Sequence, residues 1–255
     1  MATYKKKASK STDNNQETVQ DKSTTAEVFN TLDETASKSE QWIEKNSKPL
    51  FYSLVLVAVV ILGYLGYNKY IIEPTETEAA NELAFPRKHF NQANTVSIGV
   101  DSLLNLGLDG ADGKYGFTDI ASTFSGTDAG NLANYYAGLS YLKLKQYDKA
   151  IEYLSKFSSN DELLGPTAIG AVGDAFAEIN QPKDALKYYE DAASKTTNAF
   201  STPLFLYKAG ITAMELKKFS KAVTLFKKIK SDFPTSYQGG NIDQHISSAE
   251  FAAKN

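Results

Sequence analysis

The fold is decided by residues 130–157, which read GNLANYYAGLSYLKLKQYDKAIEYLSKF. This stretch predicts two consecutive helices, and its pattern returns twice further along the chain. Glycines recur 35 and then 37 residues apart (173 − 138 and 210 − 173), at Gly138, Gly173 and Gly210. An alanine follows each glycine after twelve residues, at Ala150, Ala185 and Ala222. A period of about 34 residues with small residues at two fixed places predicts a solenoid of helix pairs.

The repeated small residues are predicted to lie where the two helices of one pair, A and B, cross closely. Large side chains stand four residues after each alanine, at Leu154, Tyr189 and Phe226. We expect them to fill the space between one pair and the next. The residues predicted to pack the repeats are therefore Gly138, Tyr141, Ala150, Gly173, Phe176, Ala185, Gly210 and Ala222.

The composition narrows the functional classes. The chain has 255 residues, a net charge of −3, two histidines and no cysteine. Without cysteine it can form neither a disulfide nor a cysteine-ligated metal site. Without a basic excess, nucleic acid is not expected as a partner. Motifs for nucleophilic catalysis, zinc binding and phosphate binding are missing from the sequence. We therefore predict a protein that is not an enzyme and that uses no cofactor, metal ion or small-molecule substrate.

The N-terminal region before the first long apolar run has two parts, a polar tail and an amphipathic segment. Residues 1–25 are polar and predict a disordered tail, because they cannot bury enough apolar surface to offset the entropy of ordering. Residues 26–48 predict an amphipathic helix with Phe29, Leu32 and Ile43 on its apolar face. This helix is expected either to lie on the membrane surface or to dock on a partner protein.

Residues 49–70 predict a transmembrane helix. No charge occurs between Lys48 and Lys69, and twenty residues in a helix span roughly 30 Å, the thickness of the hydrocarbon core. Three lysines precede the run closely and Lys69 alone follows it, which predicts a cytoplasmic N-terminus and a periplasmic C-terminal part at the bacterial inner membrane. The predicted membrane-contact residues are Phe29, Leu32, Trp42, Ile43, Tyr64 and Tyr67.

The rest of the chain predicts an all-α domain. Residues 71–129 are expected to form a helical connector that caps the solenoid, with a helix that kinks or restarts at Pro86. Three repeats follow at 130–160, 165–196 and 202–235, and residues 236–255 predict a C-terminal capping helix.

The helix pairs resemble tetratricopeptide repeats. The small pair of that family is matched by Ala137-Gly138, Val172-Gly173 and Ala209-Gly210, and the start of helix B by the motifs YDKA, PKDA and FSKA. The resemblance implies that the A helices line a concave groove, which we expect to be largely apolar and suited to an extended or helical peptide. Tyr135 is the strongest candidate for a partner contact in the first repeat. The implied groove residues are Tyr135, Leu139, Leu142, Gly170, Asp174, Ala177, Tyr207, Ile211 and Met214.

The anchor region has a resemblance of its own. Residues 40–67, EQWIEKNSKPLFYSLVLVAVVILGYLGY, resemble the anchor of the YfgM-like family, and the long N-terminal tail and the GTDAGNLANYY junction resemble its Bacteroidota-type branch. The resemblance implies an accessory subunit of the SecYEG translocon that assists export or hand-over to periplasmic chaperones. Two alternatives use the same features: an assembly or scaffold factor for cell division or outer-membrane biogenesis, and a self-associating scaffold.

Overall fold

The computed structural model of the chain describes residues 24–254, except the side chains at 24–27, 29, 30, 33, 34, 38 and 39. The predicted tail therefore lies almost wholly outside the described residues, as does the side chain of Phe29. The chain divides into two compact units, Met1–Leu65 and Gly66–Asn255. Within the described residues the secondary structure is helical, without a β-strand, as predicted.

The first helix, α1, runs from Thr24 to Tyr67 without interruption. The sequence predicted two helices that meet at 48–49, but Pro49 lies inside α1. A proline removes only one backbone donor, and the apolar residues that follow it continue the helical hydrogen bonding. By length and composition this helix is apolar enough to cross a membrane.

A connector of short helices follows α1. A π-helical segment, Asn68–Ile72, leads into α2 (Glu73–Glu82), α3 (Ala84–Ala93), α4 (Val100–Asp109) and α5 (Phe117–Thr123). Pro86 lies in the first turn of α3, so the helix restarts there as its position indicated. The core of the connector is aromatic, since the ring of Tyr136 stacks on Phe117 at 5.3 Å and meets Phe90 edge-on at 5.1 Å.

In the part of the chain that the structure describes, seven α-helices follow the connector, as three A–B pairs and a final helix. They are α6 (Asp128–Lys143), α7 (Tyr147–Lys156), α8 (Leu164–Glu178), α9 (Pro182–Lys195), α10 (Ser201–Glu215), α11 (Phe219–Asp232) and α12 (Ile242–Lys254). Each packs against its neighbours along the chain. The connections have three to nine residues, and helices joined by such connections that also pack together are antiparallel, so alternate connections fall at the same edge. We call the edge at which α6, α8, α10 and α12 begin the A-start edge.

The opposite edge holds the turns from A to B. Each of these turns passes through one non-glycine residue in the left-handed region, with φ of 58–59° at Lys145, Asn180 and Lys217. These residues are 35 and 37 positions apart (180 − 145 and 217 − 180), the spacing of the glycines. The backbone of the turn therefore repeats together with the helices.

The three glycines lie where the A and B helices of one pair meet. A Cβ atom on Gly138 would stand 2.4 Å from Cγ of Leu154, and one on Gly210 would stand 2.3 Å from Cε1 of Phe226. At Gly173 the ring of Tyr189 would be 2.8 Å away. The large residues thus lie against the glycine of their own pair, whereas the sequence suggested that they fill the space between pairs. Each of these large side chains packs directly against the A helix, because only a glycine there leaves room for it. The alanines Ala150, Ala185 and Ala222 are fully buried.

Candidate partner-binding surface

The predicted groove residues fall into three groups of exposure. Ala177 and Ile211 are exposed, whereas Tyr135 and Gly170 are buried. The others are half-buried: Leu139, Leu142, Asp174, Tyr207 and Met214. We call the surface that the exposed and half-buried members form the A-helix face.

Tyr135 is not available to a partner, which corrects the prediction from the sequence. Its side chain is only 8% exposed, and its ring lies 5.0 Å from the ring of Phe157 and 5.5 Å from that of Tyr136. Burial, and then the neighbouring hydroxyl of Tyr136, raise the pKa of Tyr135. Helix α7 ends at Lys156, and Phe157, its extended C-cap residue, places its ring against that of Tyr135.

Two further positions are occupied by neighbouring helices. The ring of Phe205 lies over Gly170, so close that a Cβ there would overlap the ring. The hydroxyl of Tyr207 lies 3.1 Å from Nε2 of His245, and the two rings meet edge-on at 5.0 Å. The capping helix α12 therefore covers part of Tyr207. Both residues belong to the packing of successive pairs.

The centre of the A-helix face is polar, although a largely apolar groove was predicted. The carboxylate of Asp174 accepts hydrogen bonds from the hydroxyl of Tyr189 at 2.7 Å and from Nζ of Lys208 at 2.6 and 2.8 Å. Burial, and then the charge of Asp174, raise the pKa of Tyr189. One step along the face, the hydroxyl of Tyr147 donates to Glu178 at 3.1 Å. The two carboxylates are thus held by partners from neighbouring helices.

This network borders an open cavity of about 550 Å³, which we call the central cavity. Three predicted groove residues line it, namely Leu142, Asp174 and Ala177. Its other lining residues were not among the predicted groove residues: Lys143, Lys145, Tyr147, Glu178, Tyr189 and Lys208. At the 37-residue spacing of these two repeats the equivalent of Asp174 is Ile211, and Lys208 lies three residues before it, so the spacing alone did not pair Asp174 with Lys208.

The two lysines at the rim of the central cavity differ from Lys208. In the described part of the chain, neither Lys143 nor Lys145 makes an ion pair. Lys145 is also held in a left-handed turn conformation at the end of the A helix. The cavity therefore offers two cationic side chains next to the apolar side chains of Leu142 and Ala177.

The predicted membrane-contact residues all belong to α1. Where their side chains are described they are exposed: Leu32, Trp42, Ile43, Tyr64 and Tyr67. Among the side chains that the structure describes, no three histidine, aspartate or glutamate residues lie close enough together to hold a metal ion.

The repeats match a known family of helical repeats. A family model for the tetratricopeptide repeat matches residues 132–161 and 205–236, which correspond to the first and third helix pairs. The chain therefore carries tetratricopeptide repeats, a helical class that typically acts as a non-catalytic scaffold for protein–protein contacts. No curated protein matches the chain. Among solved structures, a variant of a protein from Podospora anserina, assigned as a kinesin light chain with nearly identical TPR-like repeats, is 12% identical. That match covers 70% of this chain and 88% of the other, with a TM-score of 0.49.

Proposed function

We propose that this chain is a membrane-anchored module that binds polypeptide partners with the A-helix face of its repeats. The observation that carries the proposal is the central cavity. It is open, it lies at the meeting of three A helices or their turns, and it combines apolar side chains with two unpaired lysines. Helix α1 supplies the anchor in this proposal, since it is long and apolar enough to span a bilayer.

The chemistry of the central cavity favours a particular kind of peptide. Lys143 and Lys145 can pair with an acidic side chain, and the Asp174–Lys208 pair can exchange hydrogen bonds with a peptide backbone. Leu142 and Ala177 offer a small apolar contact beside them. A segment with an acidic residue next to an apolar one would satisfy both parts of the surface.

The cellular role that we propose is more specific than the fold alone implies. The anchor sequence resembles that of the YfgM-like family, so the partner would be the SecYEG translocon, with exported chains or periplasmic chaperones bound by the repeats. The lysines before the span favour a cytoplasmic N-terminus and periplasmic repeats. A scaffold for another envelope complex, serving division or outer-membrane biogenesis, would use the same anchor and the same face.

Co-purification from membranes tests the proposal. The tagged full chain is extracted in mild detergent, and its partners are identified by mass spectrometry. Recovery of SecY supports the translocon role, whereas its absence together with recovery of another envelope complex contradicts that role in favour of the alternative.

Two variants test the A-helix face in the same experiment. Ala177→Arg fills the central cavity from an exposed position, and we expect the partner to be lost. Ser155→Arg introduces the same side chain at an exposed position of α7 outside the cavity and should keep the partner. Equal recovery with both variants would contradict binding at this face.

A further inference from the structure

The connections that precede α8 and α10 repeat one hydrogen-bonded turn. Before α8, Oδ1 of Asp161 accepts hydrogen bonds from the backbone N–H groups of Leu163 and Leu164, both at 2.8 Å. Before α10, Oδ1 of Asn198 accepts from the N–H groups of Phe200 and Ser201, at 2.9 and 2.7 Å. Asp161 and Asn198 are 37 residues apart (198 − 161), as are Gly173 and Gly210. The turn is therefore part of the repeat.

Each of these turns exposes an apolar side chain to solvent. Leu163 is 49% exposed, and Phe200 is 70% exposed. The two turns are bonded to each other, because Nδ2 of Asn198 and Oγ1 of Thr196 both donate to the carbonyl oxygen of Glu162, at 2.9 and 3.1 Å. Leu163 and Phe200 therefore stand in neighbouring, fixed loops on the A-start edge.

A third exposed apolar side chain follows at the same spacing. Tyr237 lies 37 residues after Phe200 (237 − 200), in the connection before α12, and is 95% exposed. Alternate connections fall at one edge, so Tyr237 belongs to the A-start edge as well. We call Leu163, Leu164, Phe200 and Tyr237 the apolar edge.

At the start of α6, the A-start edge contacts helix α2 of the connector. The carboxylate of Glu76, from α2, accepts hydrogen bonds from the N–H groups of Asp128 and Ala129 at 2.8 and 3.0 Å. Glu76 stands four residues after Ile72, the last residue of an exposed apolar segment with Tyr70 and Ile71. Four helical residues cover about 6 Å. The A-start edge thus begins about one helical turn from the apolar chain that continues the predicted span.

We propose that the apolar edge rests on the lipid surface, with its Phe, Tyr and Leu side chains at the boundary of headgroups and acyl chains. The proposal goes beyond partner binding and rests on the anchoring of α1. Charges of both signs accompany the edge, because Asp161 and Glu162 lie in the turn before α8 and the side chain of Lys195 approaches Gly165 in the first turn of α8. Apolar contact should therefore dominate, and the docking should not require anionic lipid or low salt.

The test uses the absence of cysteine from the chain. Single cysteines replace Leu163 and Phe200 in the full chain, carry a bimane fluorophore, and are reconstituted in phosphatidylcholine vesicles with nitroxide-labelled lipid. Matched probes replace Lys183 and Lys218, exposed residues at the opposite edge, next to the turns from A to B. We expect severalfold more quenching at the first pair than at the second. Equal quenching at both edges overturns the proposal.

Two controls separate the possible failures. A probe at Tyr64, inside the predicted span, must be quenched if α1 is inserted; its failure counts against the anchor. Quenching at 64 without quenching at 163 and 200 overturns the lipid contact alone and leaves the apolar edge to a protein partner. Finally, a probe at the exposed Asn160 should lose quenching when Leu163→Ser and Phe200→Ser are combined. Unchanged quenching there contradicts a role for these side chains.

Discussion

The helix crossings and the A-helix face belong to the same repeats. The crossings keep one arrangement in all three pairs, whereas the face changes from pair to pair. At the crossings, a glycine meets one large side chain in all three pairs, through Leu154, Tyr189 and Phe226. On the face, the position three residues before the glycine holds a buried Tyr135, then a Gly170 under a neighbouring ring, then a half-buried Tyr207. The crossing is set by backbone geometry that every pair shares, whereas the face depends on whichever helix or loop lies next to it.

The largest expected effect comes from breaking a crossing. Gly210→Leu would place a side chain where even a Cβ stands 2.3 Å from the buried ring of Phe226. Overpacking of this kind costs at least about 1–3 kcal/mol. Denaturant unfolding followed by circular dichroism measures the loss. Gly240→Leu is the matched control, since no atom lies within 4 Å of a Cβ at that glycine. Equal stability of the two variants would show that the crossing is assigned wrongly.

The next effect depends on pH and links the crossing to the face through Tyr189. Its raised pKa means that the folded protein keeps this hydroxyl neutral where the unfolded chain would ionise it, near pH 10. The stabilisation is therefore complete below pH 10 and is lost as the pH rises above it, by up to about 1.4 kcal/mol per pH unit. Tyr189→Phe should flatten the fall in unfolding free energy between pH 10 and 11. An unchanged slope would contradict this account.

The same contrast explains what could be predicted from the sequence. The helix pairs and the crossing residues followed from spacing, because a close crossing requires small residues at fixed places. The exposure of the groove residues could not be predicted from the spacing, because Tyr135 is covered by Phe157, a residue just beyond the end of α7. The continuity of α1 through Pro49 was missed as well, since the cost of a proline depends on the stability of the helix around it.

A smaller effect is expected from the polar centre of the face. Asp174→Asn keeps an acceptor for Tyr189 but leaves the Lys208 ammonium without its carboxylate. Both side chains of the ion pair are about one-third exposed, so solvent screens it and the loss should be about 1 kcal/mol. A double-mutant cycle of Asp174→Asn with Lys208→Met measures the coupling. A coupling energy of zero would mean that the pair does not stabilise the face.

The smallest effect distinguishes the first repeat from the other two. Helix α6 is capped by its own Thr127 and, in addition, by Glu76 from the connector, whereas α8 and α10 are preceded by the Asp161 and Asn198 turns. Glu76→Gln removes the negative charge at the start of α6 and should cost about 0.5–1 kcal/mol in unfolding free energy. Glu78→Gln, at an exposed position of the same helix, should cost less. Equal losses would indicate that the cap contributes nothing specific.

The most direct test of the account is site-specific photo-crosslinking in native membranes. A photoreactive residue replaces Ala177 in the central cavity, and the same residue replaces Ser155 on α7 as the matched position. The account predicts adducts with a polypeptide partner at position 177 that are absent at 155 and that disappear when Lys143→Glu and Lys145→Glu are added. Adducts of equal yield at both positions, or adducts at 155 alone, would contradict the claim that the A-helix face is the binding surface.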